Sequence, residues 1–145
     1  MKVKQTNTYL MFNGNCREAM QFYEKCLGGK LQFMTFADAP NPPGSDNPHA
    51  AAKDLIMHAN LVNGPVVLMA SDTPPNMPVK QADNFSIAIK CESAEEAERL
   101  FNAFSQGAQR ITMPLAETFW AAKFGMLTDQ FGVAWMFNYE KPRPQ

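Results

Sequence analysis

Apolar and polar residues alternate at every second position in short runs along this chain, and each half is interrupted once by a longer stretch with helical spacing. "NTYLMFN" is rich in strand formers and stops at Asn13-Gly14-Asn15, where Asn15 can cap a helix. "CREAMQFYEKCL" then sets Ala19, Phe22, Tyr23 and Cys26 on one helical face, and Gly28-Gly29 ends it. "KLQFMTF" predicts a second strand. "DLIMHANLV" and "PVVLMAS" predict two more, turned at Asn63-Gly64 as a hairpin. Between these strands, "ADAPNPPGSDNPHAAAK" holds four prolines and predicts a long irregular loop of the kind that lids a site.

The order then repeats. "DTPPNMPVKQA" predicts a linker, "NFSIAIKC" a strand, and "SAEEAERLFNAFSQG" a helix with Ser93 as cap and Glu96 three residues on. "AQRITMPL" is a further strand, and "ETFWAAKFGMLTDQFGVAWMFN" closes the chain as a hairpin turned at Asp129 to Gly132. At an offset of 78, Glu18-Ala19 answers Glu96-Ala97, Phe22-Tyr23 answers Leu100-Phe101, and Gly29 answers Gly107. In the hairpins "VVLMAS" lies against "VAWMFN" at an offset of 67, and Gly64 answers Gly132 at 68. The fold class is therefore α+β: one domain of two β-α-β-β-β modules, residues 1–71 and 83–145, with a linker over 72–82.

Alternation assigns the two surfaces of each sheet. Phe85, Ile87 and Ile89 oppose Ser86, Ala88 and Lys90; Leu55, Met57, Ala59 and Leu61 oppose Ile56, His58 and Asn60; Val133, Trp135 and Phe137 oppose Ala134, Met136 and Asn138. The greasier surface packs on the module's helix. The mixed one suits a hollow that holds something polar or wet.

Composition narrows the function classes. With 46% hydrophobic and 19% charged residues over 145 positions, the chain suits one domain or two small modules sharing a core. Thirteen basic against fourteen acidic residues, a net charge of -1, leave no basic excess or stripe for nucleic acid. No apolar run nears the roughly 18 residues of a membrane span, and "MKVKQTNTYLMF" lacks a signal-peptide pattern. Three cysteines without a CxxC fit a reducing compartment, so a cytoplasmic location is expected. Cys16 and Cys26 are ten residues apart on one helix, much too far along its axis to be bridged.

The duplication, with "LMFNGNCREAMQFYEKCLGG", "IMHANLVNG", "LMASD" and "ETFWAAKFGMLTDQFGVAWMFN" in order, resembles the vicinal oxygen chelate superfamily of glyoxalases, extradiol dioxygenases, fosfomycin-resistance and bleomycin-resistance proteins, and within it the PhnB-like subgroup. The resemblance covers nearly the whole chain. It implies two curved mixed sheets around a cup with helices outside, and a homodimer with modules paired within or between chains. Some of the subgroup carry a methyltransferase label, yet no glycine-rich nucleotide loop follows a strand here.

The superfamily's metal enzymes place one ligand on each of four strands. Those positions fall here on Thr8, His58, Ser86 and Met136. Only His58 is a competent ligand for a borderline divalent ion, and one imidazole, two hydroxyls and a thioether would hold zinc or nickel poorly. No cofactor and no catalytic metal are therefore expected, a divalent metal being the alternative, and the metal-free bleomycin-binding members are the better guide.

His58 and Asn60 on a mixed strand face are candidate ligand contacts, or a structural histidine and its neighbour. Phe119 and Trp120 form an aromatic ligand wall or plug the sheet end, while Trp135 faces the helix as core. Lys123 offers an anion-binding charge or is a snorkelling surface lysine. Met69 and Met136 give a soft lining. Asp72 and Asp129 are turn formers, His49 in the proline-rich loop is solvated, and Cys16 near a helix N-terminus has no base beside it. Three classes result: a metal-free small-molecule binder, a metal-dependent or His58-assisted enzyme acting on a small oxygen-rich substrate, and a structural dimer with a vestigial cup.

Overall fold

Two amphipathic helices organise the fold, α1 at Cys16–Leu27 and α2 at Ala94–Ser105, in a computed structural model that describes residues 2–38 and 53–142. Around them run β1 Thr8–Phe12, β2 Lys30–Thr35, β3 Ile56–Asn63 and β4 Val66–Asp72, then β5 Ile87–Lys90, β6 Arg110–Ala116, β7 Ala121–Thr128 and β8 Ala134–Glu140. The first sheet is ordered β1-β4-β3-β2 and the second β5-β8-β7-β6. In each, the first and last strands of the module pair in parallel and the other neighbours are antiparallel. The duplication is thus present in the topology. Residues through Lys80 form one compact unit and residues from Gln81 form the other. His49 and most of its proline-rich segment lie outside the described residues.

Each helix buries one face. Ala19, Met20, Tyr23 and Cys26 of α1 are buried in the first unit with Leu10, Phe12, Ala59, Leu61, Leu68 and Ala70. In the second, the Phe104 ring lies 4.5 Å from Trp135 and 5.3 Å from Phe137, between ring centroids. Trp135 is core, as its alternation predicts.

The helix starts are secured differently. Ser93 Oγ accepts the Glu96 N–H at 3.1 Å, while the Glu96 carboxylate turns to Arg99. Asn15 stands at the N-cap position of α1 without a side-chain cap bond. A carboxylate from far along the chain does that work: Asp72 Oδ1 accepts the Cys16 N–H and Oδ2 accepts the Ile56 N–H, both at 2.9 Å. A negative group at the positive end of a helix is electrostatically favourable, and here it also fastens β4 to β3.

Strand faces depart from simple alternation in two places. The β2–β3 register slips between Met34 and Thr35, so that Thr35 faces Ile56 while Met34 faces His58. The extra residue, Met57, turns Ile56 into the core at 1% exposure, on the side of Ala59 and Leu61 rather than of His58. In β1, Thr8 shares the surface of buried Leu10 and Phe12, and Tyr9 and Met11 occupy the open one. The reason is a one-residue difference between the modules: Tyr9 pairs with Met69 as Ala88 pairs with Met136, an offset of 79 rather than the helices' 78.

None of the three cysteines is in a disulfide. Cys16 is fully buried, and burial, helped by Asp72, pushes its thiol up to about 12. Iodoacetamide at pH 8 is expected to leave Cys16 unmodified in the native protein and to label it in urea; rapid native labelling, read by peptide mass spectrometry, would contradict this. Because burial holds the folded thiol above its ordinary 9.0, this thiol makes stability fall only as pH climbs from 9 towards 12.

Candidate functional site

The second sheet has a helix-covered surface and an open one, and strand pairing fixes what the open one carries. In β8, Trp135 and Phe137 turn to α2, which leaves Ala134, Met136 and Asn138 outward. Pairing extends this across the sheet. Thr128 faces Ala134 on one side and Arg110 on the other; Met126 faces Met136 and Met113; Phe124 faces Asn138. Ser86 immediately precedes β5, and Ala88 pairs with Met136, so Ser86 joins the same surface one step nearer the Ala134 row. The open surface therefore grades from hydroxyls and a guanidinium, through thioethers, to an amide and an aromatic ring.

A cavity of about 450 Å³ lies over the first two of these rows, lined by Ser86, Arg110, Thr112, Met126, Thr128 and Met136 among others. Ser86 Oγ is buried and has no hydrogen-bond partner among the described residues, and the same holds for Asn138 Oδ1 farther along the surface. An unpaired buried polar group costs about 1–3 kcal/mol, so nearly all such groups in folded proteins find partners. Two of them on one open surface mark a place where bonds remain to be made.

The predicted residues of this module separate into those near the cavity and those away from it. Ser86 and Met136 line it. Trp120 packs edge-on to Phe124 at 5.4 Å, which sets it on the open surface beyond the methionines, and Phe119 lies 4.8 Å from Trp120 at 88% exposure. Lys123 is elsewhere. Alternating with Gly125 and Leu127, it pairs with Tyr139 on the helix side, where its Nζ meets Glu98 of α2 at 3.3 Å. Arg110, Thr112, Thr128 and Met126 are the lining residues that sequence reading passed over. The available signal was the polar pair Arg110 and Thr112, two apart in a strand-forming run.

In the first unit, the open surface carries Tyr9, Met34, His58, Asn60 and Met69. His58 Nδ1 lies 3.5 Å from Tyr9 Oη, a long contact, with the rings 5.9 Å apart. Asn60 sits between Gln32 and Met69. Thr8 is absent from this surface.

The donors do not fit a catalytic metal. Of the four positions that the resemblance assigns, Thr8 turns to the core side of β1, and Ser86 and Met136 are weak ligands for a divalent ion. Among the described residues no group of three or more His, Cys, Asp or Glu is arranged to hold one. Asp72 and Asp129 are buried and engaged by backbone donors, as turn and cap residues rather than acids.

Comparison with known proteins agrees with this architecture. A family described as 3-demethylubiquinone-9 3-methyltransferase matches residues 4–137. Protein YjdN of Escherichia coli K12 is 34% identical over 146 residues, covering 94% of this chain and 95% of its own. The crystal structure of PA1353 from Pseudomonas aeruginosa is 50% identical with a TM-score of 0.84, covering 97% of this chain and 100% of that one. The PhnB protein from Bacillus cereus is 26% identical with a TM-score of 0.68, covering 94% and 99%. With its two β-α-β-β-β modules, the chain belongs to this PhnB-like family, and it has the fold seen in solved glyoxalase/bleomycin resistance proteins.

Proposed function

We propose that this protein binds a small molecule on the open surface of its second module and does so without a catalytic metal. Members of its superfamily bind small molecules. The observation that carries the reading here is the cavity of about 450 Å³ with the buried, unpartnered Ser86 hydroxyl in its lining. Its volume suits a compact ligand, and the methionines beside the hydroxyl can adapt to an apolar body. A homodimer is the setting that the resemblance supplies, and the cysteine pattern adds a reducing, cytoplasmic compartment. Methyl transfer, which the family description names, draws little support from the strand-to-helix joints. They run Asn13-Gly14-Asn15 and Cys91-Glu92-Ser93, with no glycine-rich cradle for a nucleotide.

Tryptophan emission gives the test. A library of small oxygenated compounds is expected to contain quenchers of the native protein whose effect disappears in Trp120→Phe, because Trp135 is sealed under α2. Quenching that persists in the variant would remove Trp120 from the site, and a library without any quencher would defeat the binding reading. Stoichiometric nickel, zinc or iron in the purified protein would overturn its metal-free part.

A further inference from the structure

We infer that the cavity of the second module selects ligands bearing an oxyanion, a carboxylate or a phosphate monoester, with Arg110 as the anchor of the charged end. This rests on the small-molecule reading above and adds to it the chemical class.

Arg110 opens the edge strand β6, lines the cavity and, among the described residues, has no ion pair. A guanidinium presents a planar fork of donors that matches two oxygens of one anion. Thr128, its partner across the strand pair, and Thr112, two residues along, bring hydroxyls into the same lining. Toward the middle of the sheet the lining turns apolar at Met126 and Met136. At the far edge stands the Ser86 hydroxyl, buried and unpartnered. Across this row the lining therefore runs from the guanidinium through Thr128 and Ala134 to the Ser86 hydroxyl, with the thioethers of Met126 and Met136 in the row alongside. A matching ligand has an anionic end, a short apolar body, and space for a polar group at the other end.

Asp83 also lines the cavity and brings an opposing charge. It precedes β5, which is the edge strand opposite β6, and among the described residues it makes no ion pair with Arg110. The Arg110 guanidinium is thus not neutralised by a contact carboxylate and keeps its donors for a ligand.

Four probes of equal chain length isolate the charge: hexanoate, hexyl phosphate, 1-hexanol and hexylamine, titrated into protein with 13C-methyl methionines and followed by NMR. Hexanoate or hexyl phosphate is expected to shift the Met126 and Met136 methyl signals with a Kd at least tenfold below that of hexanol, and hexylamine to bind most weakly. Whichever of the two anions binds tighter identifies the oxyanion. Arg110→Gln should abolish the tenfold preference, so that the two anions bind no more tightly than hexanol does to the same variant, while Arg110→Lys keeps part of it; an unaltered methionine spectrum shows that the variants are folded. If hexanol binds as well as both anions, the oxyanion class is wrong and the small-molecule reading stands. An anion preference that survives Arg110→Gln removes Arg110 as its source. If no probe shifts either methionine, the cavity is not a ligand site and both readings fall.

Discussion

Asp129→Ala is expected to lower the stability of this protein by about 4 kcal/mol, bringing the melting temperature down by roughly 12 °C. The carboxylate is wholly buried, and the turn between β7 and β8 is built around it. Its Oδ1 accepts the Phe131 N–H at 2.8 Å and the Val133 N–H at 3.0 Å, and its Oδ2 accepts the Trp135 Nε1–H at 2.9 Å. Bonds to a charged acceptor contribute about 1.5–3 kcal/mol each, and a donor left unpaired in the interior costs its full desolvation. Phe131 is only part-buried and can turn to water, whereas Val133 and Trp135 cannot. The total therefore falls below three full bonds and well above one. Asp129→Asn keeps the shape but aims an amide N–H₂ at one of the donors, so an intermediate loss is expected. Urea denaturation checks both, and a loss under about 1.5 kcal/mol for the alanine variant would show that the turn does not depend on this side chain. In a double-mutant cycle with Trp135→Phe, the two changes should be coupled, because they share one hydrogen bond.

This carboxylate also shows what a single sequence reveals. A turn at Asp129 to Gly132 was legible because turn chemistry is local, and Trp135 as core was legible because alternation is local too. The indole-to-carboxylate bond between them has no signature in spacing. The same division runs through the rest of the fold. Element order, the duplication and the Ser93 cap depend on residues a few positions apart, and all could be read. The start of α1 depends on Asp72, 56 residues beyond Cys16, so the nearby Asn15 was the natural but unused choice of cap. Surface assignments fail wherever a strand gains or loses one residue. Thr8 and Ile56 each turn to the side opposite the one that simple alternation assigns or the site reading needed, at the one-residue difference between modules and at a register change, whereas Lys123 follows plain alternation with Gly125 and Leu127 onto the helix side. For the site, Ser86 and Met136 could be read because β5 and β8 are regular in register. Arg110 could not be weighed, because its importance comes from the strands it lies beside.

The internal repeat supplies a control for a second large effect: Gly29→Ala should cost about 3 kcal/mol or more, and Gly107→Ala, its counterpart 78 residues on, about 1 kcal/mol. Both glycines have positive φ, +97° and +68°, so both variants carry the penalty of a side chain in left-handed backbone. They differ in what a new Cβ would meet. At Gly107 the nearest atoms belong to the Gln130 side chain at 3.5 Å and beyond, ordinary contact with a group that can swing away. At Gly29 a Cβ would stand 2.4 Å from the Val62 carbonyl oxygen and 2.6 Å from Asn63 Cβ, in backbone and near-backbone atoms of β3 that have no such freedom. Relief would require the end of α1 to lift from the β3–β4 hairpin, and that would pull Leu27 O away from Asn63 Nδ2, now 2.8 Å apart. Paired thermal melts of the two variants measure the difference. A gap of about 2 kcal/mol identifies close helix-to-hairpin packing as the reason for glycine at position 29, and equal losses would assign the whole effect to backbone conformation instead.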